Sequence, residues 1–481
     1  MFSLARLDWR TYAAVVVVAI SVVVAMVLYA DSEGPPQKGG NGSPTKAPGM
    51  ARLVFAVWGN EAEVDAFEEI VAAYNRESEV VDVHVEAWPD PNAMLADIRS
   101  GEVTPDLYLL PRDELAETLE ADRNRPLLDL LDARGVAFGD EFPRDAISAF
   151  SAEDDLQCMP YAGSPMVIYY NTDLIDFERM AARELPVPPE DREYWTLEMF
   201  RAAAEFASRP RKESKGVYIE PTLQGLAPFV YAGGGEMFDD DDDPTSLALA
   251  DGESADALRQ TLEVLRDPTI TLSNRQLRSQ TALDYFKDGK LGMVAGFRDL
   301  TPTLRNVPGL AFDVMPMPEL DDDATIGDLT GVCVAEGPQD RVEQSADFLV
   351  NLLSDEAVTT MAETGYVMPT KVDVNFSDAF LQPHLQPANA RVFVNAIRSI
   401  VLPPLLEGWP ELEAAVDPDL ERLLTQPLLE DLEADLELID EKSRAVLDPE
   451  DPDEPGETDD PGGPGETGSP DPSDGETGDG G

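Results

Sequence analysis

Two cysteines, two histidines and five tryptophans are the scarce chemical groups of this 481-residue chain, set against 95 Asp and Glu. His84 and His384 lie far apart with no second ligand at metal spacing, so they read as ordinary strand or loop residues and no metal site is expected. The chain contains no GxxxxGK[ST] phosphate loop and no GxSxG nucleophile turn. No nucleophile–base pair is visible, so the chain reads as a binder without catalytic residues or cofactor. The distinctive signal is aromatic. Residues 157–174, QCMPYAGSPMVIYYNTDL, hold three tyrosines and no Lys or Arg in a chain of net charge −60. A buried strand explains Met-Val-Ile, but a buried tyrosine needs a partner for its hydroxyl, and a ligand is one such partner.

The charge excludes two classes of partner. The excess of 95 Asp and Glu over 35 Lys and Arg argues against nucleic acid and anionic lipid headgroups, both of which require clustered cations. Hydrophobic residues at 43% are nevertheless enough for large cores, and the length suits two or three domains.

The ends differ from the middle. Residues 1–10 read as a cytoplasmic N-terminus and 11–30 as a transmembrane anchor, with an uncharged run long enough to span a bilayer. Arg6 and Arg10 before it and Asp31 and Glu33 after it place the remainder outside the cell. A cleaved signal peptide ending at Ala30 is the rival reading, although the run exceeds the usual h-region. Residues 31–50 form a Gly/Pro/Ser linker, and 446–481 an acidic tail with nothing to bury.

Between these ends the pattern is α/β. LVFAV at 53–57 is a continuous apolar run, and Asn60 with Glu63 forms a capping box before the stripe Val64, Phe67, Ile70, Val71, Tyr74. VDVHVEAW (81–88), NAMLADIRSG (92–101) and DLYLL (106–110) continue as strand, helix, strand, which predicts parallel pairing. Further on, Trp195 and Phe200 flank Thr196 as a hydrophobic staple. ALDYFKDGKLGMVAGF reads as a helix, a stop at Gly289 and a strand, and helices close the series as far as Leu447.

The order of these pieces resembles a family. LVFAVWGN, PDLYLLP, MPYAGSPMVIYYNTDLI, WTLEMFRAAAEF, PFVYAGGGEMFDDD, YFKDGKLGMVAGF, FDVMPMPEL and GYVMPTK follow one another as in the extracellular solute-binding proteins of ABC importers, in the maltodextrin and glycerol-phosphate branch. The resemblance covers most of 51–445. It implies a two-lobe periplasmic-binding-protein-like α/β fold with several hinge crossings. Residues 51–161 plus about 296–330 would form lobe 1, and 162–295 plus about 331–445 lobe 2. Crossings are expected near Pro160-Tyr161, Gly296-Phe297 and Thr330-Gly331. The implied function is capture of a small ligand, a sugar or sugar derivative, between the lobes and its delivery to membrane permease subunits by a monomeric, tethered ectodomain. A tethered receptor or envelope-complex subunit of the same fold, without transport, is the alternative.

The resemblance also nominates site residues, because open α/β sheets bind ligands at the carboxyl ends of their strands. Trp58 follows the first strand and Trp409 follows the loop VLPPLLEG; both would stack on a sugar face. Asn60 and Glu61 resemble hydroxyl contacts, with a helix cap as the other role for Asn60. Asp106 and Asp113 are carboxylates around the third strand, where the tryptophan of the maltose binders is missing. Tyr161 and Ser164 belong to the first crossing, Tyr231 and Gly234 to the Gly-rich turn, Phe297 and Arg298 to the second crossing, and Thr330 to the third. Arg298, if it enters the cleft, favours an anionic ligand; a surface salt bridge is its other reading. Cys158 and Cys333 would meet near the hinge, either bonded or as two buried thiols.

Overall fold

The computed structural model describes residues 50–449 apart from 137, 153 and 242. The expected cytoplasmic segment, anchor and linker, save its last residue Met50, and nearly all of the expected tail lie outside the described residues. Among the described residues no helix is long and apolar enough to cross a membrane.

Two sheets organise the chain from Arg52 onward. Strands β1 (Ala51–Trp58), β2 (Val81–Trp88), β3 (Leu107–Pro111), β4 (Met159–Pro165) and β9 (Gly327–Val334) form the first, in the order β2-β1-β3-β9-β4. Strands β5 (Val167–Asn171), β6 (Lys215–Tyr218), β7 (Leu291–Gly296) and β8 (Phe312–Met315) form the second, in the order β8-β5-β7-β6. β1 and β3 pair in parallel, but β9 runs antiparallel to both β3 and β4. The first sheet is therefore mixed, because β9, the strand that arrives from the hinge, enters it against the direction of β3 and β4. In the second sheet β6 and β7 are parallel, while β5 is antiparallel to β7 and β8.

Local chemistry explains the elements. Asn60 caps α1 (Glu61–Glu77), accepting from the Ala62 and Glu63 amides while Glu63 reaches back to the Asn60 amide. Asp90 caps α2 (Pro91–Ser100), which closes on left-handed Gly101. Thr196 caps α3 (Leu197–Ala207), with the rings of Trp195 and Phe200 edge to face at 5.4 Å. β5 is buried on both faces: Val167 and Tyr169 enter one core of the second lobe, Ile168 and Tyr170 the other.

The lobe boundaries differ from those expected. β4 stays in the first sheet to Pro165, so the first crossing falls at Met166, not at Pro160-Tyr161. After β7 the chain remains in the second lobe: Leu304 packs with Tyr169 and Phe312, and β8 pairs with β5. It returns only at Thr325–Gly327, where the Met166 amide donates to the Ile326 carbonyl and Thr325 Oγ1 to the Met166 carbonyl. Thus most of 296–330 belongs to lobe 2. Residues 331–363, carrying α6 (Gln339–Leu352) and α7 (Asp355–Glu363), pack mainly on the lobe 1 core. Helices α8 (Trp409–Thr425) and α9 (Leu432–Leu447) cover lobe 2.

Cys158 and Cys333 are joined by a disulfide, with their Cα atoms 4.3 Å apart. It ties the segment entering β4 to β9 inside the lobe 1 core, not at a crossing. Gly331 beside it tolerates no side chain, since an added Cβ would meet the Phe150 ring at 2.8 Å.

Candidate functional site

Between the lobes lies a cleft with two connected recesses. One, of about 830 Å³, runs between Asp113, Asp328 and Leu329 of lobe 1 and Tyr231, Phe238 and Trp409 of lobe 2. The other, of about 800 Å³, runs from Trp58 and Glu63 past Ser164 and Asp299 to Tyr366. Asp328 lines both. The position follows from topology: β1, β3 and β9 contribute an end or a strap to the space between the sheets.

The lobe 2 wall is helical. α4 (Leu223–Ala232) presents Leu223, Ala227 and Tyr231, one face at four-residue spacing. α8 presents Trp409 and Glu413 in the same way. Trp409 stands edge-on to Phe238 at 5.8 Å, and its Nε1 is buried without an acceptor among the described residues.

The lobe 1 wall is acidic. Asp328 is exposed to the cleft, yet the protein walls around it, with Asp299, Asp113 and Glu63 nearby, push its carboxyl up towards about 6. Its side chain accepts no hydrogen bond from any described residue. Burial likewise raises Asp113 against the pull of its own and the Glu114 amide, and raises Asp299. Glu413 across the gap is raised by burial and by Asp417 and Asp113, and Glu63 by burial. Arg112 is the cation lining the recesses; burial lowers it to about 10, and its Nε donates to the Ala149 carbonyl at 3.1 Å.

The nominated residues divide. Trp58, Asn60, Ser164, Phe297 and Thr330 line the recess that Trp58 begins, and Asp113, Tyr231 and Trp409 line the other. Asn60 is at the same time the α1 cap, so both readings of it hold in the geometry. Five fall elsewhere. Glu61 is an exposed first-turn residue of α1, and the carboxylate two places on, Glu63, faces the cleft instead. Asp106 is buried at the start of β3, where it accepts from the Val54 amide at 2.8 Å and from Arg341 Nε at 2.7 Å. Tyr161 packs its ring against Phe67 at 6.0 Å, inside lobe 1. Gly234 supplies the left-handed turn after α4, at φ +76°, and lines neither recess.

Arg298 is the largest departure. It is fully buried in lobe 2, its guanidinium 4.5 Å over the Phe380 ring, with Nε donating to the Gly365 carbonyl and Nη2 to the Phe380 carbonyl, both at 3.0 Å. It meets neither cleft nor surface. Its amide donates to Ser164 Oγ at 2.8 Å, which joins the end of β4 to the end of β7 across the hinge.

The tyrosines of 157–174 likewise serve the cores. Tyr169 donates to the Phe297 carbonyl and pairs with Thr301, and the Tyr170 hydroxyl accepts from Arg192. The missed cleft residues had periodic signals: Asp328 lies two before Thr330 on one strand face, and Glu413 four after Trp409 on one helix face.

Two α/β lobes, joined by several crossings around a ligand-sized cleft, define a solute-binding architecture. Residues 69–384 match the model of bacterial extracellular solute-binding proteins, and the chain belongs to that family. An ABC substrate-binding protein of Listeria monocytogenes solved with cycloalternan superposes with TM-score 0.69 over 83% of this chain and 99% of that one, at 18% identity. The cyclic alpha-maltosyl-1,6-maltose binding protein of Arthrobacter globiformis gives 0.67 over 83% and 99%, at 16% identity. The GacH receptor of Streptomyces glaucescens, solved unliganded and with acarbose, gives 0.65 over 83% and 98%, at 17% identity. At these identities the likeness is one of fold. No curated protein matches the chain in sequence.

Proposed function

We propose that this protein captures a sugar or sugar derivative between its lobes and passes it to ABC permease subunits, with residues 11–30 as a retained anchor holding the ectodomain outside the cell. The observation that carries the sugar reading is the composition of the cleft. Tyr231, Phe238 and Trp409 offer apolar faces on one side, and Asp113 and Asp328 offer hydroxyl acceptors on the other. Solved relatives of this fold were crystallised with cycloalternan and acarbose, which accords with the reading. The recess around Trp58 extends the space beyond one sugar ring.

A thermal-shift screen of the ectodomain with mono- and oligosaccharides tests the binding step, since a ligand at 100 times its Kd adds about 2.7 kcal/mol. Stabilisation by at least one sugar is expected; no response to any sugar, with a response to amino acids or polyols, overturns the reading. The anchor is tested separately: the native protein should fractionate with membranes and retain Met1 or Phe2, and an N-terminus at Asp31 contradicts it.

A further inference from the structure

A strap crosses between the lobes beside the cleft. Residues 364–370 leave α7 and end on β4, where the Gly163 amide donates to the Met368 carbonyl at 2.9 Å and the Thr370 amide to the Tyr161 carbonyl at 3.1 Å. That end is fixed to lobe 1. The other end is fixed to lobe 2, because Arg298 Nε donates to the Gly365 carbonyl. Gly365 fits so closely there that an added Cβ would meet Arg305 Nη1 at 3.0 Å. Between the two ends, Tyr366, Val367 and Met368 line the Trp58 recess. Arg298 acts on that recess through two further contacts. Its chain neighbours Phe297 and Asp299 line it, and so does Ser164, whose Oγ accepts from the Arg298 amide at 2.8 Å. Arg298 itself is fully buried and does not line the recess.

We infer that Arg298 is a positioning residue of the cleft: from inside lobe 2, without touching a ligand, it holds the strap and the end of β4 where they form a wall of the Trp58 recess. The chemistry of the side chain supports this. Its guanidinium lies 4.5 Å from the Phe380 ring and 5.3 Å from the Phe393 ring, and among the described residues no carboxylate pairs with it. Its Nη1 is buried without an acceptor among those residues. For packing alone, a methionine between the two rings would avoid the cost of burying an unpaired charge. What arginine adds is a rigid fork of donors, which here reaches the Gly365 carbonyl from Nε and the Phe380 carbonyl from Nη2 at once. The inference concerns how the recess is built, and so it goes beyond the choice of ligand.

Hydrogen–deuterium exchange of the unliganded protein, wild type against Arg298→Met and Arg298→Lys, tests it. Arg298→Met keeps an apolar filler and removes both donated bonds, whereas Arg298→Lys keeps the charge and can reach one carbonyl. The expected result in Arg298→Met is exchange about tenfold faster across 364–370, with the lobe 2 strands at 167–171 and 312–315 unchanged. Arg298→Lys should fall between it and the wild type. Equal acceleration in the strap and in both strands would make Arg298 an ordinary core residue and overturn the inference, as would unchanged exchange at 364–370. If Arg298→Met does not fold, Arg298→Lys decides by the same criterion; failure of both to fold assigns the residue to the core and overturns the inference too. With the sugar that stabilises the wild type most in the thermal-shift screen, Arg298→Lys should bind several-fold more weakly, and unchanged affinity beside a loosened strap would contradict the positioning role. If no sugar binds, the sugar reading fails, and the exchange pattern still decides this inference.

Discussion

The two walls of the cleft are built from opposite materials. Lobe 1 contributes Asp328 on β9, Asp113 in the turn after β3 and Glu63 in the first turn of α1, whereas lobe 2 contributes helix faces bearing Tyr231 and Trp409, with Phe238 on the adjoining loop. Neither wall makes a sugar site alone. Carboxylates facing water hold hydroxyls no better than water does, and exposed aromatics hold them without orientation. The difference explains why the site needs two lobes, and why the hinge contacts Ser164–Arg298 and Met166–Ile326 matter as much as the walls. A ligand bridging the walls then stabilises the closed arrangement over the open one.

The comparison can be broken most severely in lobe 1. Replacing Cys158 and Cys333 together by serine removes a cross-link spanning 175 residues, a loss of up to about 4–5 kcal/mol in the chain-entropy model. Denaturant unfolding should show it, and an unchanged midpoint would mean the bond adds nothing to the lobe. Next is Asp106→Ala, which strips Arg341 and the Val54 amide of a buried partner and should cost about 1–3 kcal/mol of stability with no change in sugar affinity. A loss of affinity alone would put Asp106 back in the site. In lobe 2, Trp409→Ala should weaken binding by about 1–3 kcal/mol, with Trp58→Ala in the same range. Trp88→Ala, which loses packing on the lobe 1 core and the bond from Nε1 to Asp97 but lines neither recess, is the control.

The smallest effect concerns pH. The folded protein holds the Asp328 carboxyl at about 6, above its ordinary 3.8, so the folded state binds this proton more tightly than the unfolded chain. Stability from this group is therefore greatest below about pH 4 and falls as pH rises through 6. Asp440, raised by burial to about 6, acts in the same direction. The unliganded protein should melt higher at pH 5.5 than at 7.5, chiefly through buried Asp440, with Asp328→Asn reducing that difference slightly because solvent screens its exposed carboxyl. A Tm that falls on acidification would contradict the sign.

Much of the fold was legible from local patterns. Capping at Asn60 and Thr196 and the two-sided burial of β5 are short-range chemistry that a sequence displays. The site was half legible. Trp58, Asp113, Tyr231 and Trp409 stand out by type and place, but Arg298 and Tyr161 carry the same outward signal and are buried. Nothing local tells which way a side chain leaves a crossing; the partners of Arg298 are 67 and 82 residues away, at Gly365 and Phe380. The lobe boundaries failed for a related reason. β8 and β9 are neighbours in sequence, and only long-range pairing assigns them to different sheets.

The central claim is that a sugar binds between these two walls and draws them together. Hydrogen–deuterium exchange of the protein, with and without the sugar that stabilises it most in the thermal-shift screen, tests it most directly. The account predicts new protection at 112–114 and 327–330 of lobe 1 together with 223–231 and 409–413 of lobe 2. Protection confined to one lobe, or centred on the separate groove at Arg192 and Asn395, would contradict it.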